Sequence, residues 1–406
     1  MRSVDEQLER VLSGAVRPAP VRVGIAEAYG LRSAEEVIAA RPLPAFDMAA
    51  IDGYAVRSVD VNSSSEVDPA SIPVVGEIPA GSRQPLRLQP RQAVAVAAGA
   101  PLPTLADAVV PVDHTDGGTA RIEVVRGVPS AAYVRRIGED VQPGDVAVRR
   151  DAVIGPAQVG LLAAAGREKV LVHPLPRVSV VSIGDELVEL SRSPGPGQVV
   201  DTCSPALTAA AREAGAEAAR GALVRGDVTE IGAALADRLP FSDVVVLCGA
   251  VGGRAGAEVR AAVAELGELD PTRVAMHPGS TQAFGRLGAD RVPTFLLPPH
   301  PATALLLFEV FVRPLLRQIQ GRPPHRRTMA ARLTSPITSV PGRRGYLRAR
   351  LLREEASGDY LVQPLAGAGA HLLTSLTEAN GLIIVPEDVT EATVNDRVTV
   401  AFVPAP

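Results

Sequence analysis

The chain has 406 residues and a formal net charge of −4, with 46% hydrophobic residues, only 3% aromatic residues and no tryptophan. This length exceeds one typical core and predicts two to four domains with aliphatic interiors. The slightly acidic balance excludes a general polyanion binder, and the scarcity of aromatic rings excludes a base-stacking surface for single-stranded nucleic acid.

The cysteine content and the N-terminal sequence indicate in which cellular compartment the protein is expected. Cys203 and Cys248 form no CxxC pair, so neither a disulfide framework nor a zinc site is expected. The first residues are acidic and amphipathic and lack the apolar centre of a signal peptide, and no apolar run is long enough for a transmembrane segment. We therefore expect a cytoplasmic protein.

The first half of the chain begins with a helical pattern and then turns to strands. Val4, Leu8 and Val11 recur on one face of a predicted helix over 1–14. From 42 to 133, short β-like runs between Gly, Pro and Asp predict a small inserted β domain. The chain then returns to the first domain. The sequence thus predicts a split N-terminal domain, 1–41 and 134–175, around the insertion.

Residues 176–321 have an alternating pattern of strands and helices. The β-branched runs RVSVVSI and DVVVLCGAV alternate with helical segments, which predicts an open, mainly parallel α/β sheet buried on both faces. One helix is expected to start at Ser204 as N-cap and to stop at Gly215. Ligands of such sheets bind outside the carboxyl ends of the strands. The residues that follow each strand are therefore the first candidates for a site.

The segment GRPPHRR, 321–327, has the composition of a linker. Beyond it, the runs YLRARLL, YLVQPL, GLIIVP and RVTVAFV predict a small C-terminal β domain over 328–406.

Four segments carry a resemblance to a known family. PLPAFDMAAIDGYAVR (42–57) is similar to its P-x-F-D-x-S-A-M-D-G-Y-A motif, and YVRRIGEDVQPGD (133–145) to R-x-x-G-E-D-x-x-x-G. VSVVSIGDEL (178–187) is similar to S-T-G-D-E-L, and 342–351 with 371–386 resemble the family's last domain. Because their order and spacing also agree, the chain resembles the MoeA/gephyrin-E family of molybdenum-insertion proteins.

This resemblance implies a fold and an activity. The implied architecture is an elongated homodimer with a split first domain, an inserted β domain, an open α/β molybdopterin-binding-like domain and a C-terminal β barrel-like domain. The implied reaction inserts molybdate into adenylylated molybdopterin and releases AMP, with magnesium as cofactor and the substrate cleft at the dimer interface.

The resemblance also assigns candidate residues. It implies catalytic roles for Asp52, Asp140 and Glu186, with Glu186 also a metal ligand. The implied substrate-binding positions are Arg135, Asp185, Asp227, Gly249, Arg273, His277, Pro298 and Pro301. The chemistry is consistent, because a phosphate needs backbone N–H groups and cations, and a phosphoanhydride needs a divalent cation held by carboxylates.

Several positions depart from the family pattern. An acidic residue expected in the magnesium site is Ala257, and a Gly that donates a backbone N–H is Pro299. Other departures remove polar or charged groups: Ala98, Gly226, Gly252, His277, Ser280 and Ala370. Losing one charged contact of this kind costs roughly 2–5 kcal/mol, so several losses together would weaken ligand binding.

Each candidate also has a purely structural interpretation. Asp185 and Glu186 could cap a helix, while Asp52 and Asp140 could be buried hydrogen-bond acceptors. The glycines of 249–256 could form a turn rather than a phosphate loop, and Cys248 is expected to be a small core residue.

Two functions therefore remain open. One is a molybdenumtransferase with a divergent site. The other is a non-catalytic, gephyrin-like scaffold that binds a peptide tail of a cell-division or membrane-associated partner. A third interpretation, a sugar- or nucleotide-binding α/β protein, ignores the four matching segments.

Overall fold

The computed structural model describes residues 1–83, 86–355, 358–365 and 373–403. The chain forms two compact units. One comprises Met1–Ala19 with His173–Pro406, and the other comprises Pro20–Val172.

The predicted N-terminal helix is present as α1, Val4–Leu12. Its start is fixed by a capping box, in which the Ser3 hydroxyl accepts from the Glu6 backbone N–H and the Glu6 carboxylate accepts from the Ser3 N–H. Val4 and Val11 are buried, as the helical period predicts. Asp270 accepts hydrogen bonds from the guanidinium groups of Arg2 and Arg10, which ties this segment to the α/β part of its own unit.

The unit Pro20–Val172 is built mainly from short strands and one helix. Its first strands are β1 Val21–Gly24, β2 Arg32–Ser33, β3 Val37–Ile38 and β4 Met48–Ala49. The strands of its five-stranded sheet are β5 Gly53–Val56, β6 Ala70–Ile78, β7 Ala93–Val96, β8 Ala108–Pro111 and β9 Arg121–Val124. Its last elements are β10 Val134–Arg135, β11 Val146–Val148, α2 Pro156–Ala164 and β12 Lys169–His173.

The five-stranded sheet has the order β8-β5-β7-β6-β9 and confirms the β character expected of this region. Gly53 is required at the start of β5, since a Cβ there would lie 2.2 Å from the Val110 carbonyl oxygen of β8. The returning strand β12 pairs with both β1 and β2, so the segments before and after the five-stranded sheet share a second, smaller sheet.

The α/β region is built on a six-stranded sheet in the order β16-β13-β17-β21-β20-β18. Its strands and short companions are β13 Arg177–Ser182, β14 Leu187–Val188, β15 Val199–Val200, β16 Glu217–Arg220, β17 Val244–Cys248, β18 Gly267–Asp270, β19 Met276–His277, β20 Ala283–Leu287 and β21 Val292–Leu297. The helices are α3 Cys203–Glu213, α4 Val228–Arg238, α5 Gly253–Val263, α6 Pro301–Leu307 and α7 Arg313–Ile319.

The open α/β sheet is confirmed. Strands β16, β13, β17 and β21 are mutually parallel, while β20 is antiparallel to both of its neighbours, β21 and the edge strand β18. Every residue of β17 and β21 is buried, because helices and other elements cover both faces. The predicted long helix runs through α6, a π-helical turn at Phe308–Val312, and α7.

The C-terminal region confirms the barrel-like expectation. Its elements are β22 Thr328–Leu333, β23 Ile337–Thr338, β24 Arg344–Arg353, β25 Tyr360–Pro364, α8 Thr374–Thr377, β26 Gly381–Val385, β27 Glu391–Ala392 and β28 Arg397–Phe402. The order β24-β25-β22-β28-β26 closes on itself because β26 also pairs with β24. The buried interior consists of aliphatic side chains such as Leu333, Val362 and Ile383.

In the part of the chain that the structure describes, every helix is too short or too polar to cross a bilayer.

Candidate active site

The carboxyl ends of four parallel strands meet at one edge of the α/β sheet. The segments that leave them are hydrogen-bonded to one another: the Gly184 N–H donates to Val224 O at 3.0 Å, and the Gly249 N–H donates to Leu297 O at 2.9 Å. Parallel pairing therefore places six of the predicted positions at this edge. These are Asp185, Glu186, Asp227, Gly249, Pro298 and Pro301.

Two carboxylates at this edge flank Gly226. Asp185 Oδ1 accepts from the Gly226 N–H at 3.1 Å, and Asp227 Oδ1 accepts from the Thr229 and Glu230 N–H groups at 2.8 and 3.0 Å. The second oxygen of each carboxylate accepts no hydrogen bond from the described residues. Both side chains are exposed at the surface of this edge.

The helix-cap alternative for Asp185 and Glu186 is wrong. The two residues are followed by the short strand β14, which pairs with β15, and no helix starts there. Asp227 is the residue that caps a helix, since its side chain accepts from the first turn of α4.

A cavity of about 420 Å³ opens beside Glu186. Its wall includes Asp201, Cys203 and Cys248 from the sheet and from the start of α3, and Pro299 from the loop after β21. A hydrogen bond with the Cys203 thiol, together with burial, raises the pKa of the Cys248 thiol. Both thiols are buried, so Cys248 is the small core residue that the sequence predicts rather than a nucleophile.

Asp201 is the most highly connected carboxylate of this edge, and the sequence analysis missed it. Its Oδ1 accepts from the Cys203 and Ser204 N–H groups, both at 3.1 Å, and from the Ser182 hydroxyl at 2.9 Å. Its Oδ2 accepts from the Ser204 hydroxyl and, at 3.2 Å, from Arg220. Burial opposes ionisation of this carboxyl, yet the hydrogen bonds prevail and lower its pKa.

The predicted N-cap of α3 is therefore wrong. Ser204 lies inside the helix, and Asp201 satisfies the first N–H groups of α3 instead. The sequence signal for this cap is the Asp three residues before the serine, since a carboxylate accepts from helix N–H groups as a hydroxyl does. The predicted stop is confirmed, because Gly215 follows α3 with a φ of +87°.

Helix α5 has an uncapped N-terminus at this edge, as does the shorter helix α6. The N-cap residue of α5 is Gly252, and no side chain of the described residues caps its first turn. A Cβ added at Gly252 or Gly253 would meet nothing within 4 Å, so space lies in front of these N–H groups. Gly249 differs, because a Cβ there would lie 3.0 Å from the Ile183 carbonyl oxygen. An uncapped helix start after a glycine loop is suited to an anion.

The candidates Arg273 and His277 lie in the loop between β18 and β20. Both side chains are exposed. The Arg273 carbonyl accepts from the Arg2 N–H at 2.8 Å, and His277 belongs to β19, where it pairs with Gly345 of β24. Since β20 starts beside the end of β21, this loop leaves the same edge of the sheet.

The other candidates belong to the unit Pro20–Val172. Asp52 Oδ1 accepts from the Ala98 N–H at 2.7 Å. Arg135 donates through Nη2 to Asp140 at 2.5 Å and through Nε to Glu139 at 2.7 Å. Pairing of β4 with β10 holds the segments of Asp52 and Arg135 side by side.

Asp47 is a further acid that the sequence analysis did not single out, although it lies in the first matching motif. It accepts from the Ile137 N–H at 2.7 Å and from Arg136 Nη1 at 2.6 Å. The Ile137 bond and Arg136 lower the pKa of this carboxyl. Asp47 therefore fixes the loop that precedes Glu139 and Asp140.

The departures Gly226, Gly252, Ala257 and Pro299 fall at the same edge as the acids, whereas Ala98 lies beside Asp52 in the unit Pro20–Val172. Ala257 lies exposed in the first turns of α5 and has no atom that can bind a metal. Within the described ranges, no group of three or more His, Cys, Asp or Glu side chains is arranged to hold a metal ion. Ala370, another departure, lies outside the described residues.

Family models match the chain in three consecutive parts. The MoeA N-terminal region (domain I and II) matches residues 2–166. A probable molybdopterin binding domain matches 179–318, and the MoeA C-terminal region (domain IV) matches 330–403.

Similar proteins agree with these models. The chain is 56% identical to molybdopterin molybdenumtransferase 1 of Mycobacterium tuberculosis (strain ATCC 25618 / H37Rv), over 99% of each chain. It is 37% identical to molybdopterin molybdenumtransferase 2 of the same strain, over 98% of this chain and 99% of that one. A solved molybdopterin biosynthesis MoeA protein from Pyrococcus superposes with a TM-score of 0.80 at 31% identity, over 98% of each chain.

The three matches follow one another along the chain in the order of the β-rich unit, the open α/β sheet and the C-terminal barrel. The chain belongs to the MoeA family.

Proposed function

We propose that this protein is a molybdopterin molybdenumtransferase of molybdenum cofactor biosynthesis, which inserts molybdate into adenylylated molybdopterin and releases AMP. The observation that carries the proposal is the 56% identity, over 99% of both chains, to a protein of that name. Family members at this similarity usually share a reaction, and the departures concern single contacts rather than whole elements.

The edge of the α/β sheet supports binding of a phosphorylated substrate. The first turns of α3 and α4 are occupied by the carboxylates of Asp201 and Asp227, which exclude an anion there. The start of α5 after Gly249 offers unoccupied backbone N–H groups and the positive end of a helix dipole. We assign the substrate phosphates to this position.

A resident metal cage made only of protein ligands does not fit the chain, given Ala257 and the absence of a three-ligand cluster in the described residues. The free oxygens of Asp185 and Asp227 do fit a Mg²⁺ ion that also binds substrate phosphates, because such ions use one or two carboxylates and several waters. Glu186 is a further exposed acid of this edge. When bound, the ion would offset the negative charge of the phosphates.

We retain Asp52, Asp140 and Glu186 as the candidate catalytic carboxylates. Asp52 is oriented by the Ala98 N–H and Asp140 by Arg135, while each side chain remains exposed. If Asp52 and Asp140 are instead hydrogen-bond acceptors that only hold the fold, replacing them would lower stability more than turnover.

The altered positions predict weaker binding of the substrate rather than complete loss of binding. Pro299 cannot donate a backbone N–H, and His277 stands where the family has a lysine. Arg273 retains its charge. We therefore expect measurable turnover with weakened binding of the adenylylated pterin.

Release of AMP from adenylylated molybdopterin, dependent on molybdate and magnesium, tests the proposal. Asp227→Asn is the informative variant, because Asn caps a helix as well as Asp but has no charge. We expect at least a tenfold loss of AMP release with little change in stability. Asp237→Asn, on the exposed face of the same helix, is the matched control. No AMP release by the unaltered protein at saturating substrate would refute the transferase proposal.

The remaining expectations stand as proposals. We infer a homodimer with the substrate cleft between subunits, and domains over 1–41 with 134–175, 42–133, 176–321 and 328–406. Sedimentation equilibrium tests the dimer, and a monomer at micromolar concentration would refute it. The comparisons do not support the scaffold hypothesis with a cell-division partner.

A further inference from the structure

Tyr133 has a backbone conformation that bulky side chains rarely adopt. Its φ is +53°, in the left-handed region that favours glycine and asparagine, and Ala131 in the same turn has a φ of +65°. An aromatic residue in this region is an outlier, which persists only where the surrounding structure enforces it. Strained residues of this kind concentrate at binding and catalytic sites.

Backbone hydrogen bonds on both sides of the tyrosine enforce this conformation. On one side, the Ala131 N–H donates to the Asp107 carbonyl oxygen at 2.8 Å, next to the start of β8. On the other side, the Tyr133 carbonyl oxygen accepts from the Ala50 N–H at 2.9 Å, just after β4. The main chain therefore fixes the turn without a hydrogen bond from the phenol group.

The phenol ring of Tyr133 remains open to another partner. The residue is 44% exposed. Within the described ranges its hydroxyl makes no hydrogen bond, and its ring lies against neither another aromatic ring nor a guanidinium group. An asparagine would fit the turn with less strain. Backbone geometry and packing therefore do not account for an aromatic side chain at this position.

The position of Tyr133 associates it with the candidate catalytic residues of its unit. Ala50, its hydrogen-bond partner, precedes Asp52 by two residues, and Arg135 of β10 follows the tyrosine by two residues. Pairing of β4 with β10 holds these segments together, and Arg135 donates to Asp140. The tyrosine thus belongs to the segments that carry both candidate catalytic carboxylates of this unit.

We propose that the Tyr133 ring stacks on one of the two planar nitrogen heterocycles of adenylylated molybdopterin, the adenine or the pterin. The inference rests on the proposed function and adds a specificity-determining residue to its site. A phenol offers a flat apolar face to the heterocycle and a hydroxyl to its polar edge. Removing an aromatic side chain that stacks on a base weakens binding by at least about fivefold.

Titration calorimetry of the full-length protein with adenylylated molybdopterin and Mg²⁺, without molybdate, tests the proposal. Tyr133→Asn removes the ring and supplies a residue suited to the left-handed region. We expect this variant to bind at least fivefold more weakly. Its melting temperature should equal or exceed that of the unaltered protein, because the strain is relieved. Tyr133→Phe keeps the ring and should bind within twofold of the unaltered protein.

Tyr29→Asn is the matched control. Tyr29 is 65% exposed and belongs to the same unit, so this variant loses an exposed phenol elsewhere and should bind as the unaltered protein does. Separate titrations with AMP and with molybdopterin identify the stacked ring. Only the probe that carries this ring should lose affinity for Tyr133→Asn.

Three results would overturn the proposal. The first is equal binding of adenylylated molybdopterin by Tyr133→Asn and the unaltered protein. The second is a clearly lower melting temperature of Tyr133→Asn, which would mean that the ring holds the fold. The third is dissociation of a dimer by this variant in sedimentation equilibrium, which would make the ring a contact between subunits.

Turnover separates this inference from the proposed function. If the unaltered protein releases no AMP but binds the adenylylated pterin in a manner that depends on Tyr133, the transferase reaction is refuted and the stacking contact is supported. If it releases AMP and Tyr133→Asn binds equally well, only the stacking contact is refuted.

Discussion

Replacing Asp201 by Ala should open the start of α3 to solvent. The carboxylate is 1% exposed and links three elements: Ser182 at the end of β13, the first N–H groups of α3, and Arg220 of β16. No other acid of the described carboxyl edge is buried to this degree. The substitution removes a helix cap and one partner of a partly buried ion pair at once.

The magnitude follows from these two losses. A missing N-cap costs about 1 kcal/mol. A buried hydroxyl and guanidinium left without an acceptor cost about 1–3 kcal/mol more. Arg220 is 25% exposed and keeps its contact with Glu189 at 2.8 Å. The free-energy cost of leaving this guanidinium without Asp201 therefore lies at the lower end of that range. We expect about 3 kcal/mol in all, whereas Asp227→Ala, an exposed cap, should cost about 1 kcal/mol.

Amide hydrogen exchange followed by mass spectrometry is the appropriate assay, because a chain with two compact units need not unfold in one step. A loss of about 3 kcal/mol accelerates exchange of α3 by roughly 100-fold, while Asp227→Ala should accelerate exchange of α4 by roughly fivefold. Asp201→Asn should fall between the two. If Asp201→Ala affects α3 no more than Asp227→Ala affects α4, the reasoning about burial is wrong.

Three further outcomes are expected. Gly53→Ala should destabilise its unit by more than about 2 kcal/mol, because its Cβ would enter the space of a backbone carbonyl oxygen; Gly160→Ala, in open space on α2, is the control for calorimetric melting. Arg326→Met should cost about 2 kcal/mol in denaturant unfolding, since Glu309 then keeps only a distant cation. The pKa of Asp270 is held well below its unfolded value of 3.8, chiefly by Thr272 and two arginines acting against desolvation. Its contribution is therefore present above that pH and lost as the pH falls below it, so circular dichroism in acid should show a smaller drop for Asp270→Asn than for the unaltered chain.

Much of the fold could be predicted from local patterns. The helix at 4–12 follows from the spacing of Val4 and Val11 and from its capping box, both of which are local in sequence. The continuous β-branched runs gave β13 and β17, since strands covered on both faces need apolar residues at every position. The reversed direction of β20 between β21 and β18 was not predictable, because strand direction depends on pairing and not on composition.

The candidate site was predictable only in part. Rules for strand ends and the family motifs placed Asp185, Glu186 and Asp227 correctly at one edge of the sheet. The structural role of each individual acid was not predictable. Asp227 caps a helix while Asp185 does not, and the buried network of Asp201 depends on Arg220, which lies 19 residues further along the chain.

The sequence by itself determined the class of each region and, through its motifs, the family, because periodicity and motif residues are properties of neighbouring positions. Only the tertiary structure decided which charges are balanced. Glu309 and Arg313 lie one helical turn apart and read as an ion pair in sequence, yet Arg326 from the linker takes the carboxylate and leaves Arg313 underpaired. Charge balance in an interior depends on every group that packs there, and packing joins residues that are distant in the chain.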